Sequence, residues 1–432
     1  MGVRRLQCAT VNANVRRTGF ALIVVAILGC TGERVSDTEE PKARAKTVTA
    51  QTSAVQELPS PAAAGAAEPF LFATRDGVLL SWLEPVANTD RVALRFARYG
   101  GGQWSAPRTI VERNDLFVNW ADFPSVVEDA KGALFAHWLQ KSGKGTYSYD
   151  VQMASSPDGG ATWGKPFLLN RDGKQAEHGF VTLAALPDGG VGATWLDGRK
   201  MTGGGHGGHE AGGDMGIRYA TVSADGTIAE DVEVDDRTCE CCTTGMTMTS
   251  TGPVIVYRDR SADEVRDIAY VTKTASGWTK PARVNADEWK INACPVNGPQ
   301  IDAIGARSVT AWFTAAQEKG RAYVAFSDDA GATFAKPVQI DDGKPIGRLD
   351  VLLLDEQTAL VTWLEQTTAG GEIRARRISR DGKAEPAIKI ADSTTARAAG
   401  FARMARHERD VYFTWTEQSA NSKRVHIARG RF

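Results

Sequence analysis

Short runs of alternating apolar and polar residues, closed by Gly, Asp or Asn turns, fill the chain from about residue 67 to its end. Such alternation marks half-buried antiparallel strands. One run recurs, an apolar strand ending in an aromatic residue. It reads VLLSW at Trp82, LFAHW at Trp138, VGATW at Trp195, PVIVY at Tyr257, SVTAW at Trp312, ALVTW at Trp363 and VYFTW at Trp415, with 51 to 62 residues between copies. A near-constant period points to one repeat architecture and not to several unlike domains. Each unit reads strand, tight turn, aromatic strand, variable loop, strand, turn, strand, and helical patterning is scarce. The pattern predicts an all-β chain, a β-propeller of four-stranded antiparallel blades. Direct counting gives seven blades, or six if one unit is irregular. The last unit holds only three strands. An open sheet edge invites pairing with other chains, so residues 47–58 are expected to supply the missing strand.

Before residue 67 the pattern changes. Arg4, Arg5, Arg16 and Arg17 precede an apolar run from Phe20 to Leu28, followed by Gly29 and Cys30. The run is too short to span a bilayer and reads as an export signal. Its end, ILGC, resembles the lipobox of bacterial lipoproteins. That resemblance implies removal of residues 1–29, lipid on Cys30 and residence at the bacterial cell envelope. An ordinary signal peptide with an incidental cysteine is the alternative. Residues 30–66 are polar and then Ala/Pro-rich, the composition of a tether that cannot bury enough surface to order itself. Residues 67–432 form the propeller. With 51 basic and 52 acidic residues the net charge is −1, which gives no support for a nucleic-acid partner or a polybasic membrane patch. Membrane contact is expected through the lipid alone.

Two turns carry a sharper signal. SSPDGGATW holds Ser156, Asp158, Gly160 and Trp163 in the order S-x-D-x-G-x-x-W, and SDDAGATF repeats it with Ser327, Asp329, Gly331 and Phe334. Both resemble the Asp boxes, or BNR repeats, of the sialidase superfamily. Asp and Ser side chains can bond turn backbone, glycine accepts positive φ, and the aromatic ring can pack on the hairpin. The boxes are therefore read as structural. The resemblance implies a glycan ligand and sialidase-type glycoside hydrolysis. Sialidases use three arginines, a Tyr–Glu nucleophile pair and an Asp acid/base. The Arg-Ile-Pro-like motif near the sialidase domain start is missing, FLFATRDG standing there instead, and the catalytic set does not map onto this chain.

In an up-and-down blade the Asp boxes mark one face. The loop after each aromatic strand and the connections between blades lie on the other, where propeller sites are expected. That face collects Asp197 and Arg199 after the third aromatic strand, and Arg258, Asp259, Arg260 and Arg266 after the fourth. Arginines converging on a propeller mouth suit a carboxylate or other small anion. Arg–Asp pairing, between neighbouring blades or within DGR and RDR themselves, is the competing reading. GGGHGGHEAGGD adds His206, His209, Glu210 and Asp214, and AEHGF adds His178. DDRTCECCTTG places Cys239, Glu240, Cys241 and Cys242 in the connection from the third to the fourth unit, and INACPVNG places Cys294 one unit on. Export favours two disulfides among these four cysteines. A thiolate site for Zn²⁺ or Cu(I), with His206 or His209, is the rival. Three functional readings follow: a glycan-binding or glycan-hydrolysing propeller, an envelope metal-binding protein, or a non-catalytic propeller that binds a protein partner.

Overall fold

The computed structural model describes residues 55–201, 212–419 and 422–432. Seven antiparallel sheets account for these residues, and the one helical element is a single 3-10 turn at Ala316–Glu318. The count of seven blades holds. In each blade the second strand is the aromatic one: Gly77–Pro85, Leu134–Lys141, Val191–Asp197, Gly252–Arg258, Arg307–Thr314, Thr358–Thr367 and Asp410–Gln418. The inner strands are Ala67–Thr74, Ser125–Glu128, His178–Ala185, Gly245–Thr249, Gln300–Ile304, Pro345–Leu353 and Arg403–His407.

The closing strand comes from the N-terminal side. Gln56–Leu58 pairs with Lys423–Arg431 in the register Gln56↔Arg429, Glu57↔Ala428 and Leu58↔Ile427. Residues 47–54 of the expected segment lie outside the described residues, as do residues 1–46 with Cys30.

The aromatic repeat has a physical reason. Trp82, Trp138, Trp195, Trp312 and Trp363 are fully buried between neighbouring blades. In three blades the indole Nε1 donates to an acid two residues on: Trp82 to Glu84 at 2.9 Å, Trp195 to Asp197 at 2.8 Å and Trp363 to Glu365 at 2.7 Å. A buried indole N–H favours such an acceptor; Trp312 finds one in Asp287 at 2.7 Å, while Trp138 Nε1 has none among the described residues. Two of the acids also tie down a preceding loop. Glu84 accepts from Ala63 N at 3.0 Å and Glu365 from Lys344 N at 2.7 Å.

The Asp boxes repeat one geometry. Ser156 Oγ donates to Asp158 Oδ1 (2.7 Å) and accepts from Gly160 N (2.8 Å), while Asp158 Oδ1 accepts from Thr162 N (2.9 Å). Ser327, Asp329, Gly331 and Thr333 reproduce these bonds at 2.8, 3.0 and 2.9 Å. Gly160 has φ +87°, and a Cβ there would stand 2.3 Å from the Phe96 ring of the first blade. Trp163 meets the same ring edge-on at 5.9 Å. The boxes are thus staples between blades. SADGT at Ser223 and SRDGK at Ser379 make shortened versions, with Ser223 Oγ donating to Asp225 Oδ1 at 2.6 Å. Both depart from the S-x-D-x-G-x-x-W pattern, with glycine directly after the Asp and no closing aromatic.

The inner strands surround an axial channel of about 210 Å³. Its acids are inter-blade clasps. Asp122 accepts from Phe180 N at 2.6 Å, Asp302 from Leu353 N at 2.7 Å and Asp350 from Met404 N at 2.7 Å. Burial pushes Asp122 up to about 7 and Asp350 to about 6. A carboxyl whose folded pKa exceeds its unfolded value near 4 takes up a proton on folding between those two values, so it adds stability as pH falls through that window. His137, which burial pulls down to about 3, opposes this below its unfolded value near 6.5. So does Cys242, held below the usual thiol range, but the raised carboxyls Asp122, Asp259, Asp302 and Asp350 outnumber both. Urea unfolding is therefore expected to show a higher midpoint at about pH 5.5 than at about pH 8, with Asp122→Asn flattening that slope. An equal or lower midpoint at the acid end would contradict the assignment.

Candidate functional site

The cysteine-bearing connections meet at the face opposite the Asp boxes. The first is anchored to the fourth blade, where Cys239 N donates to Arg258 O at 3.0 Å and Thr238 bridges Asp259. The second touches it at Gly298, where a Cβ would lie 1.8 Å from the Thr243 carbonyl oxygen. Only glycine lets the two backbones meet so closely.

This contact gathers the thiols. Cys239 Sγ lies 2.7 Å from Cys242 Sγ and 3.8 Å from Cys241 Sγ, and all three fall within 4.8 Å of one another. Cys294 reaches Cys241 from the second connection. Cys239, Cys241 and Cys242 are buried and Cys294 is half-buried. Burial pushes Cys239 up to about 11. Cys242 goes the other way. Burial opposes its ionisation, but hydrogen bonds from Cys239 and Cys241, the Arg258 charge and the Asn297 amide hold it well below the usual thiol range. Hydrogen bonds to its neighbours push Cys241 up as well, so the surroundings favour negative charge on one sulfur of the three, Cys242.

Two buried arginines place positive charge beside the cluster. Arg258, 2 % exposed, gives its guanidinium to the carbonyls of Asn297 (3.0 and 2.8 Å), Arg266 (2.6 Å) and Phe313 (2.6 Å) and stacks 4.8 Å from the Trp289 ring centre. Arg348, 6 % exposed, donates to Val296 O, to Asn297 Oδ1 at 3.1 Å and to Arg397 O at 2.6 Å, and lies 4.3 Å from the Phe401 ring centre. Among the described residues neither forms an ion pair with a carboxylate, although Asp287 feels the Arg258 charge. Burial and repulsion from Arg397 pull Arg348 down to about 10.

Above the thiols opens a cavity of about 450 Å³. Phe117, Trp120, Tyr147 and Phe180 line it, with Asn119, Thr146 and Arg397 as its polar groups and Cys241 and Cys294 in its wall. Among the described residues no carboxylate lines it. Non-glycine residues with left-handed backbone cluster here: Phe180 (φ 52°) and Val296 (φ 51°) line the cavity, and Arg348 (φ 61°) lies beside it. Phe180 and Arg348 sit where inner strands slip register, and a bulge of this kind re-aims a side chain. Val296 is β-branched, for which positive φ is costly, and such strain concentrates at working sites.

The other residues singled out in the sequence are placed as follows. Asp197 is held by Arg199 in a bidentate pair at 2.6 and 2.7 Å, so both are occupied within one turn. His178 is fully buried, with Nδ1 3.2 Å from Tyr149 O and Nε2 3.2 Å from Asp172 Oδ2. It stands on the expected side, opposite Asp197 with Nε2 3.9 Å from Oδ1, but as an enclosed and satisfied histidine. Arg260 pairs with Glu240 and with Glu264 at 2.7 Å, and Arg266 with Glu240 at 3.0 Å and Glu264 at 2.9 Å, a self-neutralising network. Asp259 is raised to about 6, first by burial and then by Asp235. His206, His209 and Glu210 lie outside the described residues. A Tyr–Glu pair does exist, Tyr149 Oη donating to Glu177 Oε1 at 2.8 Å. Tyr149 is fully buried under the Phe117 ring, 4.0 Å away, where no sugar can reach it.

Trp120, Tyr147, Arg348 and Arg397 were not singled out in the sequence. LFVNW, an aromatic run inside a polar connection, was a legible signal for Trp120. Arg397 had none. It donates to Cys294 O at 2.6 Å from a loop 103 residues away.

The repeat and its boxes now have a counterpart. A family model described as a BNR repeat-like domain matches residues 88–421. The chain belongs to the BNR repeat-like domain family. Among solved structures, this BNR propeller is similar to the polysaccharide lyase Uly1 at 10 % identity, covering 84 % of this chain and 90 % of that one with a TM-score of 0.52. It is also similar to the α-L-arabinofuranosidase of Fusarium graminearum bound to arabinobiose (12 % identity, 85 % and 93 % covered, TM-score 0.48). A third is the NanB sialidase of Streptococcus pneumoniae (13 % identity, 87 % and 70 % covered, TM-score 0.44). At these identities the likeness is one of fold. No curated protein matches the chain by sequence.

Proposed function

We propose that this BNR propeller is a glycan-binding protein, held at the cell envelope by lipid on Cys30, that takes an anionic sugar in the mouth cavity. One observation carries the reading: among the described residues the cavity joins Phe117, Trp120 and Tyr147 to one exposed cation, Arg397, with no carboxylate in the lining. Aromatic faces accept the apolar C–H face of a sugar ring, while few polar groups fix its orientation. A guanidinium suits a sugar carboxylate through paired hydrogen bonds. Glycoside hydrolysis requires two carboxyl groups flanking the scissile bond. The channel acids are spent on backbone N–H groups, and Asp197 and Glu240 on arginines. The site is therefore read as one of recognition without cleavage.

Calorimetry with sialyllactose and oligouronates tests this. Trp120→Ala is expected to weaken binding by about tenfold or more, the equivalent of about 1.4 kcal/mol. Arg397→Ala should abolish the preference for acidic over neutral glycans. Binding of neither class, or turnover of a fluorogenic sialoside by the intact chain, would overturn the reading.

A further inference from the structure

The cysteine triplet carries a separate conclusion, which does not rest on glycan binding. We propose that Cys239, Cys241 and Cys242 form a three-thiolate site for Cu(I). Three thiols within 4.8 Å of one another exceed what one disulfide uses, and they converge from a single tight connection. Their surroundings select for softness. They belong to one apolar core cluster with Met215, Met246 and Phe180, away from water. Thiolate ligands in such a setting favour Cu(I), whereas Zn²⁺ prefers four ligands arranged tetrahedrally.

Charge supports the same assignment. Arg258 and Arg348 bring two positive charges into the interior, and among the described residues neither has a carboxylate partner within ion-pair distance. Buried charge requires compensation. Two neutral disulfides would leave both guanidiniums with neutral hydrogen-bond acceptors only and, among the described residues, no anion within ion-pair distance. Three thiolates around one Cu(I) carry a net charge of −2, which balances them. Arg266 is already neutralised by Glu240 and Glu264, and donates to Cys239 Sγ at 3.5 Å besides.

The geometry is close to what the ion needs. Three thiolates about 2.3 Å from a central ion, in a plane, stand about 4 Å apart. Cys239 and Cys241 already lie 3.8 Å apart. Cys239 and Cys242, at 2.7 Å, must part by about 1 Å, within reach of a side-chain rotation. Cys241 lines the cavity, so the ion enters from the mouth. Cys294, half-buried beyond Cys241, is left outside the ligand set.

The full chain, purified without oxygen, is titrated with Cu(I) against a chromogenic chelator, and its sulfur shell is read by X-ray absorption. The expected result is one Cu(I) per chain with three sulfur neighbours. Cys241→Ser and Cys242→Ser should each weaken binding about 100-fold or more, and Cys294→Ser by less than about threefold. Unfolding curves show whether each variant is folded, and the wild-type sulfur count stands even if one is not. Three results would overturn the proposal. One is a native exported chain with two disulfides and neither reactive thiols nor metal. Another is Zn²⁺ bound in preference to Cu(I) and lost in Cys294→Ser. The third is Cu(I) with only two sulfur neighbours.

Discussion

Arg258→Ala is expected to destabilise the fold by about 3–5 kcal/mol, and not merely to weaken a ligand. Its guanidinium fills the junction of the fourth and fifth blades and satisfies carbonyls of Asn297, Arg266 and Phe313. Each buried acceptor left without a donor costs about 1–3 kcal/mol, and loss of the guanidinium also empties the space beside Trp289. Arg258→Lys keeps the charge but not the planar fork, so it should lose an intermediate amount. Denaturant unfolding checks both. A loss below about 1 kcal/mol, with an anionic ligand weakened instead, would restore Arg258 as a ligand clamp.

Removing the chain up to Leu58 is expected to open the ring. The strand Lys423–Arg431 would lose its partner, and Leu58, now packed among Leu71, Val78, Tyr412 and Ile427, would leave the core. Glu57 would also leave His426 Nδ1, 2.6 Å away. A bared edge pairs with other chains. A chain beginning at Pro59 should therefore show a lower unfolding midpoint than one beginning at Val55, and a concentration-dependent rise in mass by light scattering. Equal midpoints and an unchanged monomer would show that three strands suffice for the seventh blade.

Asp197 shows how repeats can mislead and then correct a reading. Beside Arg199 after an aromatic strand, Asp197 is either a ligand-binding group or one half of a local pair. Aligned by blade, it occupies the same position as Glu84 and Glu365, each bonded to a tryptophan Nε1 two residues before. The repeat itself held that signal, because a function peculiar to one site does not recur in three blades. Glu240, Arg260 and Arg266 are different. Their mutual pairing depends on a connection folding back over a hairpin, which no spacing announced.

What the sequence determined by itself is local in origin. Side-chain alternation with a period of two, turn residues at fixed offsets and an aromatic strand every 51 to 62 residues specify blades, their number and which end holds the Asp boxes. They even showed that one strand was missing and from which side it would come. The tertiary structure decided what the mouth contains. Closing the ring brings Arg397 to Cys294 and Arg348 to Asn297, across 103 and 51 residues. It also buries two guanidiniums beside three thiols. Whether an arginine faces solvent or a buried carbonyl depends on which blades become neighbours, and only ring closure decides that.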